Sequence, residues 1–220
     1  MVTFPKGFEH PFMARASLEK EPFPHVEIAP FLHVYHYPFD GQRLINAIEA
    51  DGDETNWDSA KVGRGVDQRI SPHRDSRAKN LLEKLGNAEN EQPVDTYTEL
   101  QEAAYPILYH AERAIWAYRL HYNLGLRDCQ GWTINKYGHG GQYKDHVDHG
   151  TADPRVISSV IYLNTVTDGG KTCFAFQDVS ADCIEGNIIV FPSSYPYTHA
   201  SEPTGVKSGE VKYSLAGFFV

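Results

Sequence analysis

Apolar positions change their period part-way along the chain. From Phe39 to Leu126 they recur at the three-to-four spacing of helices. "DGQRLINAIEA" predicts a short helix with Asp40 as its N-cap, and "DSRAKNLLEKLG" predicts a second, running from an Asp75 cap to a stop at Gly86. A third is expected over Thr96 to Tyr122. There Leu100, Ala104, Ile107, Leu108, Ala111, Ile115 and Tyr118 recur at helical spacing, and Thr96 with Glu99 forms a capping-box signature. Pro106 predicts a kink in this helix or the start of a second segment. His110 and His121 read as core or surface residues.

After Gly131 the period shortens. "RVISSVIYLN", "GGKTCFAFQ", "GNIIVFP" and "KYSLAGFFV" are short runs rich in β-branched and aromatic residues, which read as strands. "TDGG", "IEGN" and "FPSSYP" supply turns between them. The spacing predicts an antiparallel sandwich or barrel, with the helices packed on one face of a sheet and a last strand running to Val220.

With 220 residues the chain is expected to be one domain, mainly helical support over 1–126 and β core over 127–220. A formal charge of -9 disfavours a broad grip on a nucleic-acid backbone, which is driven by Lys and Arg displacing counterions. Between Lys61 and Lys79, however, six Lys and Arg stand against two Asp. That run reads equally as a solvated surface loop and as a flap over an active site. Cys129, Cys173 and Cys183 lack C-x-x-C spacing, so neither a disulfide framework nor a thiolate zinc site is indicated, and a reducing cytoplasm is the expected setting. The first residues lack an apolar h-region, and no stretch approaches the ~20 apolar residues of a membrane span.

Candidate chemistry concentrates in "YGHGGQYKDHVDHG", Tyr137 to Gly150. His146 and Asp148 are two apart, so on a strand both project from one face and Val147 from the other. Pairing His146 with His149 would need a helix, which Gly140, Gly141 and Gly150 disfavour. An H-x-D pair is common by chance. His199, at the expected start of a strand, adds a third donor. Two imidazoles and one carboxylate that leave coordination positions open are the donor set associated with non-haem Fe(II) oxygenases, with zinc and a hydrolytic reaction as the rival. Lys212 and Ser214 share one face of the terminal strand, and an ammonium beside a hydroxyl suits a small carboxylate. Tyr137 and Tyr162 would add phenol hydrogen bonds, although isolated tyrosines more often serve as core packing.

The series Tyr137, Gly140, Tyr143, His146, Asp148, then "VIYLN", "GGKT", His199 and "KYS" resembles the iron(II)- and 2-oxoglutarate-dependent dioxygenases, in their prolyl 4-hydroxylase-like branch. The likeness covers about the C-terminal half of the chain. Lys212 stands where relatives often carry Arg, giving up Arg's planar fork. The resemblance implies an α+β fold with a double-stranded β-helix, or jelly-roll, core and N-terminal supporting helices. It implies Fe(II) on His146, Asp148 and His199, with 2-oxoglutarate chelating the metal and its distal carboxylate on Lys212, aided by Ser214 and Tyr137 or Tyr162. O2 would be consumed, succinate and CO2 released and the substrate hydroxylated, with ascorbate as an auxiliary reductant. Asp148 favours hydroxylation over halogenation, which in relatives accompanies loss of that carboxylate.

A proline-containing peptide or protein is the implied substrate. A free amino acid or other small molecule is the alternative, and an alkylated base is disfavoured by the charge. A non-catalytic metal-binding jelly roll is a third reading, one that has no need of Lys212 with Ser214. The sequence sets no oligomeric state.

Overall fold

Alternation along the last strand organises the molecule. The computed structural model describes residues 23–50, 57–61, 70–81, 98–151 and 154–220. They form β1 (His25–Ala29), β2 (Leu32–His36), α1 (Gly41–Glu49), β3 (Asp58–Ser59), β4 (Arg74–Asp75), β5 (Arg77–Asn80), α2 (Glu99–His121), β6 (Cys129–Tyr137), β7 (Gln142–His146), β8 (Ile157–Tyr162), β9 (Thr172–Phe174), β10 (Val179–Ala181), β11 (Asn187–Pro192), β12 (His199–Ser201) and β13 (Lys212–Phe219). Two antiparallel sheets result. One has the order β1-β2-β11-β8-β13-β6-β5-β3 and the other β10-β9-β12-β7-β4.

On β13 the odd-numbered Tyr213, Leu215 and Phe219 join the core beneath the helices, while Lys212, Ser214, Ala216 and Phe218 line a cavity. Strand β11 alternates in the same way. Ile188 and Val190 pack toward the helices, whereas Ile189 and Phe191 join a second core with Phe174 and Ala181 of the smaller sheet. The large sheet is thus covered on both faces, with helices on one side and the small sheet and the cavity on the other. Gly217 is needed for close approach: a Cβ there would stand 2.4 Å from the Trp132 ring.

Helix α1 follows its sequence signal. The Asp40 side chain accepts a hydrogen bond from the Arg43 N–H at 2.9 Å, and Leu44, Ile45 and Ile48 are buried. Helix α2 departs in detail. Its capping box is made by Thr98 and Gln101, with Thr96 outside the described residues. Pro106 neither ends it nor begins a new segment, because the helix buries Tyr105, Ile107 and Leu108 around the proline and so offsets the lost backbone hydrogen bond.

The helix expected from Asp75 is a correction. Arg74–Asp75 and Arg77–Asn80 are strands, β5 pairing with β6 from Arg77 opposite Lys136 to Asn80 opposite Thr133. Leu81 is the first helical residue after β5, and 82–97 lie outside the described residues. Here ladder hydrogen bonds and a place beside β6 outweigh intrinsic propensity. Among the described residues of the N-terminal part, β1 to β5 interleave with the two helices, and β2 pairs directly with β11. Of the basic run, 62–69 also lie outside the described residues. No helix among the described residues is long and apolar enough to cross a membrane. Cys129, Cys173 and Cys183 carry free thiols.

Candidate active site

The pairing of β7 with β12 sets His146 directly opposite His199. Asp148 follows just beyond the end of β7. Its Oδ1 lies 3.7 Å from His146 Nε2 and its Oδ2 lies 3.5 Å from His199 Nε2, and one ligand atom from each residue falls within 4.8 Å of the others. Both imidazoles are oriented from behind. His146 Nδ1 is 2.9 Å from the Lys144 carbonyl and His199 Nδ1 is 3.0 Å from that of Tyr197. A carbonyl only accepts, so Nδ1 bears the proton in each ring and the Nε2 lone pair faces the carboxylate.

Burial pushes the His146 imidazole down to about 3, with His199 adding to the effect and Asp148 opposing it. Burial alone would raise the Asp148 carboxyl, but His199, His146 and the Ser158 hydroxyl together hold it below its usual range. A neutral imidazole and an ionised carboxylate are the forms a divalent cation requires. The donor set, its spacing and the backbone partners of both rings therefore fit a metal ion. Tyr143 stacks on His146 with ring centroids 3.5 Å apart, and the Phe191 ring lies 4.8 Å from His199. His139 and His149 stand apart from the triad, bonded to the carbonyls of Gly205 and Arg155.

The triad opens into a cavity of about 460 Å³. Deep within it, Lys212 is 1% exposed and donates to the Gly170 carbonyl at 2.6 Å and to Ser201 Oγ at 2.8 Å. Its ammonium lies 5.1 Å and 5.2 Å from the rings of Tyr137 and Tyr162. No carboxylate among the described residues pairs with it, and burial pushes it down to about 8. An ammonium offers three protons and two are used, which leaves one for an anion entering the cavity.

Ser214 is buried on the same wall, opposite Asn135 and Tyr162. Tyr137 lines the cavity. Tyr162 is not among the lining residues: its hydroxyl donates to Thr172 Oγ1 at 2.7 Å, and Thr172 faces the cavity instead. The structure thus brings His146, Asp148, His199, Tyr137, Lys212 and Ser214 to one cavity. Sequence reasoning assigned no role to Ser158, Thr172 or Ser201. The "GGKT" motif contains Thr172, but only the fold places it beside Lys212.

Residues 132–220 match the model of the 2OG-Fe(II) oxygenase superfamily. The comparison with curated proteins found no match. Among solved structures, a Pseudomonas putida prolyl-4-hydroxylase is similar over 93% of this chain and 97% of its own, with 22% identity and a TM-score of 0.60. The viral collagen prolyl hydroxylase of Paramecium Bursaria Chlorella virus-1, solved as a 2OG complex, covers 88% of this chain and 98% of its own at 14% identity and a TM-score of 0.56. A Trichoplax adhaerens prolyl hydroxylase, solved with a hypoxia inducible factor oxygen degradation domain peptide fragment, covers 86% and 83% at 13% identity and a TM-score of 0.58. At these identities the likeness is one of fold. The resemblance read from the sequence holds: the C-terminal part is 2OG-Fe(II) oxygenase-like and the fold is prolyl hydroxylase-like. That family implies Fe(II), 2-oxoglutarate and O2, and the His-Asp-His triad is present.

Proposed function

We propose that the protein is a single-domain oxygenase of double-stranded β-helix architecture that hydroxylates a peptidyl proline, consuming 2-oxoglutarate and O2 and releasing succinate and CO2. One observation carries this reading. A three-donor site and a fully buried lysine with no carboxylate partner among the described residues share one cavity. A structural metal site needs only the first of these. An unpaired buried ammonium is costly unless an anion completes it.

His146, Asp148 and His199 hold the metal, which when bound supplies the oxidising chemistry with O2. The Nδ1 bonds of both imidazoles leave each Nε2 free to bind an ion beside Asp148, whose carboxylate Ser158 fixes. Lys212 receives the distal carboxylate of 2-oxoglutarate, with Ser214 and Tyr137 on the same wall and Tyr162 orienting Thr172 beside it. The rings of Tyr143, Phe174 and Phe191 exclude water from the imidazoles. The prolyl substrate is supported by the three similar structures, all of prolyl hydroxylases, one of which was solved with a peptide. Ascorbate would serve as reductant.

The test supplies the protein with Fe(II), ascorbate, O2 and 2-oxoglutarate and follows succinate release with and without proline-containing peptides. Stimulated release, with a peptide gaining one oxygen atom at proline, is the expected result. Release stimulated only by another class of compound contradicts the prolyl assignment. No 2-oxoglutarate turnover with any substrate, together with zinc bound in cells, contradicts the oxygenase reading.

A further inference from the structure

The cavity is charged in the sense opposite to the protein. The chain carries a formal -9, yet among the described residues the cavity wall presents Lys61, Arg74, Arg155 and Lys212 against one acid, Asp148, a proposed metal ligand. A cleft of one sign with low-dielectric walls concentrates ions of the other.

Lys212 serves one end. Residues 212, 214, 216 and 218 line the cavity in series, so Lys212 and Phe218 are roughly 20 Å apart along the strand. Arg155 lies over the Phe218 ring, 3.5 Å from its centroid, and so belongs to the other end.

Arg74 is the more telling cation. It is half-buried on β4, with Nε donating to Ser76 Oγ at 3.2 Å, Nη1 to the Lys61 carbonyl at 3.2 Å and Nη2 to Asn135 Oδ1 at 2.6 Å. It also lies 4.7 Å over the ring of Tyr143, the tyrosine that stacks on His146. All three acceptors are neutral, as is the Tyr137 hydroxyl that the guanidinium also meets, and no carboxylate among the described residues pairs with it. A guanidinium has five N–H donors, so this one is fixed in direction with a donor to spare, one aromatic ring away from a proposed metal ligand.

We infer that the substrate presents a carboxylate to Arg74, with Arg155 and Lys61 contributing to the local positive potential, so that the enzyme selects acidic substrates. For a peptide this means Asp or Glu flanking the residue that is oxidised. A free amino acid would offer the same chemistry through its own carboxylate. The inference rests on the oxygenase reading, in which Lys212 is already taken by 2-oxoglutarate.

The experiment measures binding to the protein loaded with Mn(II) and 2-oxoglutarate, using three labelled proline peptides that differ only in a flanking Glu, Gln or Lys. Unlabelled free proline serves as a competitor, and succinate release is followed separately. The Glu peptide is expected to bind at least about tenfold more tightly than the Gln peptide, and the Lys peptide most weakly. Arg74→Gln should remove that preference and Arg74→Glu should reverse it, with 2-oxoglutarate affinity unchanged in both. Free proline displacing the Glu peptide would support the carboxylate on Arg74 and identify its source as a free amino acid. Three peptides binding alike or not at all while free proline also fails to bind, or Arg74→Gln weakening 2-oxoglutarate instead, would overturn the inference. Charge selectivity without succinate release under any condition would sustain the inference and count against the oxygenase reading alone.

Discussion

The hydroxyl of Ser158 donates to Asp148 Oδ2 at 2.7 Å, and Ser193 Oγ lies 2.8 Å behind it. Since the Ser158 proton is given to the carboxylate, Ser193 must donate to Ser158, which makes a buried relay from β11's end to the proposed ligand. Ser158→Ala should leave the fold intact and lower metal affinity about 10- to 100-fold, the effect of losing a partner that orients a ligand. Competition with a chelator measures this directly, and unchanged affinity would mean that the relay does not position Asp148.

The strand pattern was legible because β11 buries both faces and so appears as a continuous apolar run, and because the apolar residues of β13 alternate with Lys212 and Ser214, while Asp40 announced α1. His146, Asp148 and Lys212 were legible through two-residue spacing. What the sequence did not reveal depends on pairing between distant segments. Arg77–Asn80 is polar and becomes a strand only because β6 offers it an edge. Ser158, Thr172 and Ser201 are ordinary strand residues until the sheets bring them to Asp148 and Lys212.

Burial holds the Lys212 ammonium at about 8. A bound carboxylate favours the charged form and raises that value, so above pH 8 binding must take up a proton. Affinity for 2-oxoglutarate should therefore be level below pH 8 and fall as pH rises beyond it. Lys212→Arg should abolish this decline, because arginine stays protonated. Titrations across that range check the claim, and an equal decline in Lys212→Arg would locate the titrating group elsewhere.

Glu112 lies inside α2 at 3% exposure with Oε2 lacking a hydrogen-bond partner among the described residues, and burial pushes it up to about 8 from an ordinary value of 4.5. The folded state thus holds this proton more tightly than the unfolded state. Its contribution to stability is full below pH 4.5 and is lost as pH rises through 8, by an amount on the order of a few kcal/mol. Denaturant melts at a series of pH values should show wild type losing stability over that interval while Glu112→Gln stays flatter. Parallel curves would show that Glu112 does not titrate there.

If the triad and Lys212 bind the same small molecule, the metal and the ammonium must both contribute to its affinity. Calorimetric titration of 2-oxoglutarate into Mn(II)-loaded protein without O2 tests it most directly. The wild-type protein should bind 2-oxoglutarate, removal of the metal should weaken binding strongly, and Lys212→Ala in the metal-loaded protein should cost about 2 to 4 kcal/mol. Affinity unchanged both without the metal and in Lys212→Ala would contradict a ligand shared by the triad and Lys212.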